Sequence, residues 1–200
     1  MKTFALALAA ALTVAAFTHT AVALELGDKP PKTDVKMKGV DGKDYTIADV
    51  KGEKGTLVIF SCNHCPFVIA WEERIAAIGN EYMKKGVGVI QINPNDYNRY
   101  KADAPEMMAQ RAKERGFQFP YVVDETSEVA RAFKATVTPE FFLFGADDKL
   151  VFHGALDDNH RNAAAVTQHY LRNALEALLK GEAITVNRTK TPGCTIKWRQ

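Results

Sequence analysis

Two cysteines, Cys62 and Cys65, stand one helical turn apart where an apolar run ends and a helical pattern begins. The run Thr56-Leu57-Val58-Ile59-Phe60-Ser61 reads as a buried strand, and Phe67, Val68, Trp71, Ile75 and Ile78 recur at helical spacing after it. Pro66 falls in the first turn of that helix, where its missing N–H has no partner to lose. A strand, a Cys-x-x-Cys and a helix in this order place two thiols at the mouth of a helix. Redox chemistry keeps its reactive sulfurs there, because a helix N-terminus favours an anion.

The N-terminus bears on the compartment. Lys2 precedes a run of Ala, Leu, Val and Phe from residue 4 to 17, broken only by Thr13, and Ala21-Val22-Ala23 supplies small residues where a signal peptidase reads. Residues 1–23 are expected to be a signal peptide cleaved after Ala23, leaving about 177 residues. The run is short for spanning a bilayer and no later segment is apolar enough to do so. A periplasmic or secreted product is expected, with no integral membrane segment after cleavage. The formal charge of +2 comes with scattered basic residues, so no nucleic-acid-binding stripe is expected. Outside the cytosol thiols tend to oxidise. There are three cysteines, an odd number, so at least one thiol is free or exchanges partners. A working couple is the better reading than a structural staple.

Along the chain, residues 35–37 and 43–46 read as short strands around Val40-Asp41-Gly42, an Asp-Gly hairpin signal. The helix from 66 to 84 ends at Lys84-Lys85-Gly86. Strand 87–92, helix 104–115 closed by Gly116, strand 120–123, helix 126–133, strands 140–144 and 150–152, and a long amphipathic helix 162–180 follow. The tail 181–200 has no clear periodicity. This succession predicts one α/β domain over residues 24–180: a mixed sheet with helices on both faces, preceded by an extra hairpin.

Three effects are expected to bring Cys62 towards the thiolate: the helix N-terminus, a protonated His64 in the loop, and a hydrogen bond from Cys65. Cys62 would then attack and Cys65 resolve. Far downstream, Thr138-Pro139 precedes the apolar strand at Glu140. A proline there cannot donate to a central ladder and marks a special turn.

The segments Phe60-Ser61-Cys62-Asn63-His64-Cys65-Pro66-Phe67-Val68, Ile92-Asn93-Pro94-Asn95-Asp96, Thr138-Pro139-Glu140-Phe141-Phe142-Leu143, Asp157-Asp158-Asn159 and Gly193-Cys194-Thr195-Ile196-Lys197-Trp198 resemble the secreted, thioredoxin-like and peroxiredoxin-related (redoxin) proteins that carry a Cys-Asn-His-Cys-Pro motif. The resemblance implies the thioredoxin-like fold, a cis-proline at Pro139 facing the two sulfurs, and oxidoreductase chemistry without cofactor or metal. The site is expected to comprise Cys62, His64, Cys65 and Pro139, with Asn63, Pro66 and Thr138 contacting substrate. Protein or small-molecule disulfides and a thiol electron donor are the expected partners.

Two other chemistries stay open. Peroxiredoxins place a peroxidatic cysteine before a proline, as Cys65 stands before Pro66, although Cys62 occupies the place of their threonine. Sco-type copper chaperones use two thiolates and a distal histidine, for which His153 and His160 are candidates, although their cysteines are spaced one residue wider. Cys194 has three readings: a distant resolving thiol, a point of intermolecular pairing, or a buried small residue not required for turnover. Asn93, Asn95 and Asp96 lie where α/β sheets place ligands, and Asp157 to His160 reads as a solvated loop. Trp71 and Tyr121 read as core or rim.

Overall fold

The apolar run after Gly55 is buried at every position, as a strand covered on both faces must be. The computed structural model describes residues 24–200, and the expected signal segment 1–23 lies outside them. In chain order the elements are β1 (Met37–Gly39), β2 (Asp44–Tyr45), β3 (Gly55–Phe60), α1 (Pro66–Met83), β4 (Val87–Asn93), α2 (Pro105–Arg115), β5 (Tyr121–Val123), α3 (Glu128–Phe133), β6 (Val137–Thr138), β7 (Glu140–Gly145), β8 (Leu150–Gly154), α4 (Tyr170–Lys180) and β9 (Cys194–Thr195).

Seven strands make one mixed sheet in the order β2-β1-β5-β4-β3-β7-β8. β3 lies parallel to β4, Leu57 opposite Val89, and antiparallel to β7, Val58 opposite Phe142. The early crossovers are parallel and the Asp147-Asp148 turn joins an antiparallel pair, as the sequence predicts. The hairpin β1–β2 adds to the far edge beside β5, its first strand starting two residues later than expected. Gly88 in β4 permits the preceding segment to cross close by: a Cβ there would sit 1.8 Å from the Val50 carbonyl oxygen.

Alternation along β3 divides the core. Leu57 and Ile59 pack with Trp71, Ile75 and Ile78 of α1 and with Leu171 and Leu175 of α4. Val58 and Phe60 face Val129 and Phe133 of α3, where Phe60, Phe133, Phe142 and Phe144 meet edge to face. The tail returns onto this second face through Ile196 and Trp198. Trp71 and Tyr121 are core residues, wholly buried.

Two expectations fail. The long helix begins at Tyr170 rather than residue 162. Short polar side chains capture the backbone before it: Asn159 accepts from the N–H groups of Arg161 and Asn162, Asn162 from Ala164, and Asp158 from Thr167. Such local bonds compete with a helix and win here. Nor is Asp157 solvated. It is buried and accepts from Trp71 Nε1 at 2.9 Å and from the Arg74 guanidinium, tying the loop to α1.

Candidate dithiol site

Cys62 and Cys65 lie between the end of β3 and the first turn of α1, both essentially closed off from solvent. Because β7 runs antiparallel to β3, its start meets the end of β3, with Phe60 opposite Glu140. The Thr138–Pro139 bond just before it is cis. Thr138 stands between the thiols: its Oγ1 is 3.2 Å from Cys62 Sγ, and its carbonyl oxygen accepts from Cys65 Sγ at 3.1 Å. Glu140, next to the proline, fixes this loop by accepting from the N–H groups of Thr136 and Val137.

Asp103 carries the other side of the motif, and sequence reasoning missed it. Wholly buried, it lies in a short turn before α2 and accepts four N–H groups: Asn63 N at 2.7 Å, His64 N at 3.3 Å, His64 Nδ1 at 2.7 Å and Asn95 Nδ2 at 2.9 Å. Donation from Nδ1 leaves His64 Nε2 as the nitrogen with a free lone pair. The imidazole stacks on Tyr100, ring centroids 5.0 Å apart. Asn93 and Asn95 sit at the end of β4 and hold this unit: Asn93 Nδ2 donates to the Asp103 carbonyl, and Asn95 Oδ1 accepts from Lys197 N. Asn63 Oδ1 accepts from the Tyr121 hydroxyl at 3.1 Å. Asp103 sits in no motif and no periodic run, and only the Asn-Pro-Asn-Asp stretch at the end of β4 pointed towards its surroundings.

The two sulfurs are not equivalent. Cys65 is the N-cap of α1. The Cys62 thiol donates to its sulfur; against burial, Cys194 Sγ–H and the N–H groups of Val68 and Cys194 add to that, and Cys65 comes down to about 5. The Thr138 carbonyl is the contact that opposes its ionisation. Cys62 is pushed well above the ordinary thiol value by its hydrogen bond to Cys65, by burial and by the nearby Asp103 carboxylate. Set against the expected order, these contacts favour the anion on Cys65, the N-cap residue of α1. His64 pairs with Asp103 through Nδ1 and keeps a ring nitrogen within 4.8 Å of Cys62 Sγ.

The tail brings the third cysteine into the same place. β9 pairs antiparallel with β6, Cys194 opposite Thr138, and Cys194 packs against Cys62, Cys65 and Val68. Burial first, then its bond to Cys65, raises Cys194 to about 11. The distal histidines diverge. His153 gives Nε2 to Glu140 at 2.7 Å and stacks on Phe142, while His160 lies against Phe67 with centroids 4.6 Å apart. Cys62 Sγ, a His64 ring nitrogen and an Asp103 oxygen lie within 4.8 Å of one another. The imidazole and carboxylate are hydrogen-bonded to each other there.

A family profile described as Redoxin matches residues 25–169. The chain is 25% identical over 116 residues to the thiol-disulfide oxidoreductase ResA of Halalkalibacterium halodurans; the match covers 58% of this chain and spans 61% of that protein's length. An uncharacterized conserved protein from Geobacillus kaustophilus superimposes with a TM-score of 0.82 at 41% identity, over 88% of this chain and 93% of that one. A hypothetical protein from Sinorhizobium meliloti gives the same TM-score at 34% identity, over 89% and 97%. The fold shared with more distant solved proteins is thioredoxin-like. By its sequence and its architecture, the chain belongs to the Redoxin family.

Proposed function

We propose that the protein is an exported thiol–disulfide oxidoreductase whose Cys62/Cys65 pair cycles between dithiol and disulfide. The observation that carries this is the placement of the pair: two buried thiols at the mouth of α1, bridged by Thr138 at a cis-proline. In the cycle the Cys65 thiolate attacks a substrate disulfide, one substrate sulfur leaves, and a mixed disulfide forms. Cys62 then attacks the Cys65 sulfur, the second substrate thiol departs, and the pair is left oxidised. A proton must leave Cys62 in the second step, and the His64 imidazole, held by Asp103 and with a ring nitrogen within 4.8 Å of Cys62 Sγ, is the base assigned to take it. Reduction by a thiol donor closes the cycle. The name of the similar ResA protein agrees with this chemistry, and the signal-like run at residues 1–23 supports an oxidising compartment.

The test is capture of a mixed disulfide with oxidised glutathione. A Cys62→Ser/Cys194→Ser protein should hold one glutathione on Cys65 and reduce no insulin, whereas Cys65→Ser should hold none. No adduct on Cys65 overturns the assignment. The low value at Cys65, followed by Pro66, also favours a second reading as a thiol peroxidase. There the Cys65 thiolate takes an oxygen from hydrogen peroxide to give a sulfenic acid and water, and Cys62 condenses with it to the same disulfide. Peroxide loss that keeps pace with insulin reduction would establish it.

A further inference from the structure

The tail does more than fill space. β6 is two residues long, and the partner it has among the described residues is β9. Short unpaired edges of this kind accept an extended polypeptide through main-chain hydrogen bonds. Here the edge beside the thiols is already taken by the chain's own C-terminal segment. The approach is close: a Cβ on Gly193 would meet the Thr138 carbonyl oxygen at 2.7 Å and Val137 Cβ at 2.9 Å, so a glycine lets the tail lie against the cis-proline loop. Beyond it the segment is tied down by Ile196 N to the Thr136 carbonyl, Asp96 N to the Lys197 carbonyl, and Arg199 N to Ser127 Oγ. Register then brings Cys194 opposite Thr138, whose carbonyl already contacts Cys65.

We propose that β9 is a resident occupant of the client edge and that Cys194 is the third redox thiol of the site, forming a Cys65–Cys194 disulfide that staples the tail over the cis-proline loop. The proposal rests on the reading of Cys65 as the attacking thiol. Once Cys65 is joined to a substrate sulfur, Cys194 attacks the Cys65 sulfur; the bond to the substrate breaks, the Cys65–Cys194 bond forms, and the departing thiolate takes the proton Cys194 gives up. Two electrons pass from Cys65 and Cys194 to the substrate disulfide, as they do when Cys62 resolves. From the Cys62–Cys65 disulfide the same attack releases Cys62 and moves the bond without net oxidation. The stapled form keeps a polypeptide off β6, and a reducing donor reopens it.

Tryptic peptides separate the outcomes, because Cys62 and Cys65 share the peptide 55–74 and Cys194 lies on 191–197. Cys62→Ser and Cys62→Ala proteins are equilibrated with oxidised glutathione, acid-quenched and mapped by mass spectrometry beside the wild type. Linked 55–74 and 191–197 peptides, loss of both remaining thiols, and a glutathione adduct on Cys65 that decays about tenfold or more faster than in Cys62→Ser/Cys194→Ser are expected, since the attacking thiol is held in place. A persistent Cys65–glutathione adduct with Cys194 free, in either variant, overturns the proposal and leaves the dithiol function standing. No adduct on Cys65 in the double variant removes the function reading and this proposal together. Linked peptides absent from the wild type at every glutathione ratio, and from both variants, also overturn it.

Discussion

The Asp103 carboxylate should set the acidity of Cys62, and the effect is large enough to isolate. In a Cys65→Ser background Cys62 titrates without the Cys65 thiol, its largest perturber, leaving burial and the carboxylate to raise it against the Thr138 hydroxyl and the backbone N–H of residue 65. The acid oxygen and Cys62 Sγ lie within 4.8 Å. At an effective dielectric of about 20, unit charges at that separation repel by about 3.5 kcal/mol, equivalent to about 2.5 pKa units. Asp103→Asn keeps an acceptor but removes the charge, so Cys62 in Cys65→Ser/Asp103→Asn should ionise about two pH units lower than in Cys65→Ser alone. Thiolate absorbance at 240 nm, followed against pH for the two proteins, reads this directly. The asparagine amide must also face one of the four N–H donors, which costs about 1–3 kcal/mol of stability, so thermal melts confirm that both proteins are folded. A folded double variant whose Cys62 titrates within half a pH unit of the single variant would refute the electrostatic reasoning.

Three further outcomes follow from the same geometry. Cys65 is depressed to about 5 in the fold against an ordinary value of 9.0; a depressed group adds stability above its unfolded value and loses it as pH falls through its folded one. The melting temperature of the reduced wild type minus that of Cys65→Ser should therefore rise from about pH 5 to about pH 9, and a gap that is flat or shrinks across this window would move the anion elsewhere. Gly88→Ala should cost about 3 kcal/mol or more in urea unfolding, because its methyl would collide with the Val50 carbonyl; a loss under 1 kcal/mol would mean that the crossing segment gives way freely. Asp157→Ala leaves buried Trp71 Nε1 without its acceptor and takes the carboxylate from Arg74, which keeps the carbonyls of Asn159 and His160, so a loss of about 1–3 kcal/mol is expected, and a Trp71 fluorescence spectrum unchanged from wild type would count against that bond.

Strand β3, helix α1 and the proline at 139 were legible because each obeys a local rule: an apolar run, a 3.6-residue period, a residue without an N–H. What stayed hidden is held by partners far away in the chain. His64 looked like a source of positive charge for Cys62, and nothing near it in sequence announces Asp103, which pairs with its ring from 39 positions away. Cys194 could not be placed among its three readings because β9 has only two residues and no period. Its neighbours are set by pairing with β6, a strand too short to show in the pattern. The misread start of α4 has a different cause, since residues 162–169 have an acceptable helical pattern that Asp158, Asn159 and Asn162 override through the backbone.

The distribution of the site along the chain has a consequence for how the protein is made. The motif at 62–65, the carboxylate at 103, the proline loop at 136–140 and the closing segment at 194–199 leave the ribosome in that order, and Lys197 and Arg199 supply bonds to Asn95 and Ser127 that nothing earlier can. With synthesis running at about 5–20 residues per second, the two thiols emerge several seconds before the segment that covers them. During that interval they face whatever oxidants and stray thiols surround a nascent chain, without the neighbours that tune them. Maturation of the dithiol site is thus tied to the arrival of residues 194–199.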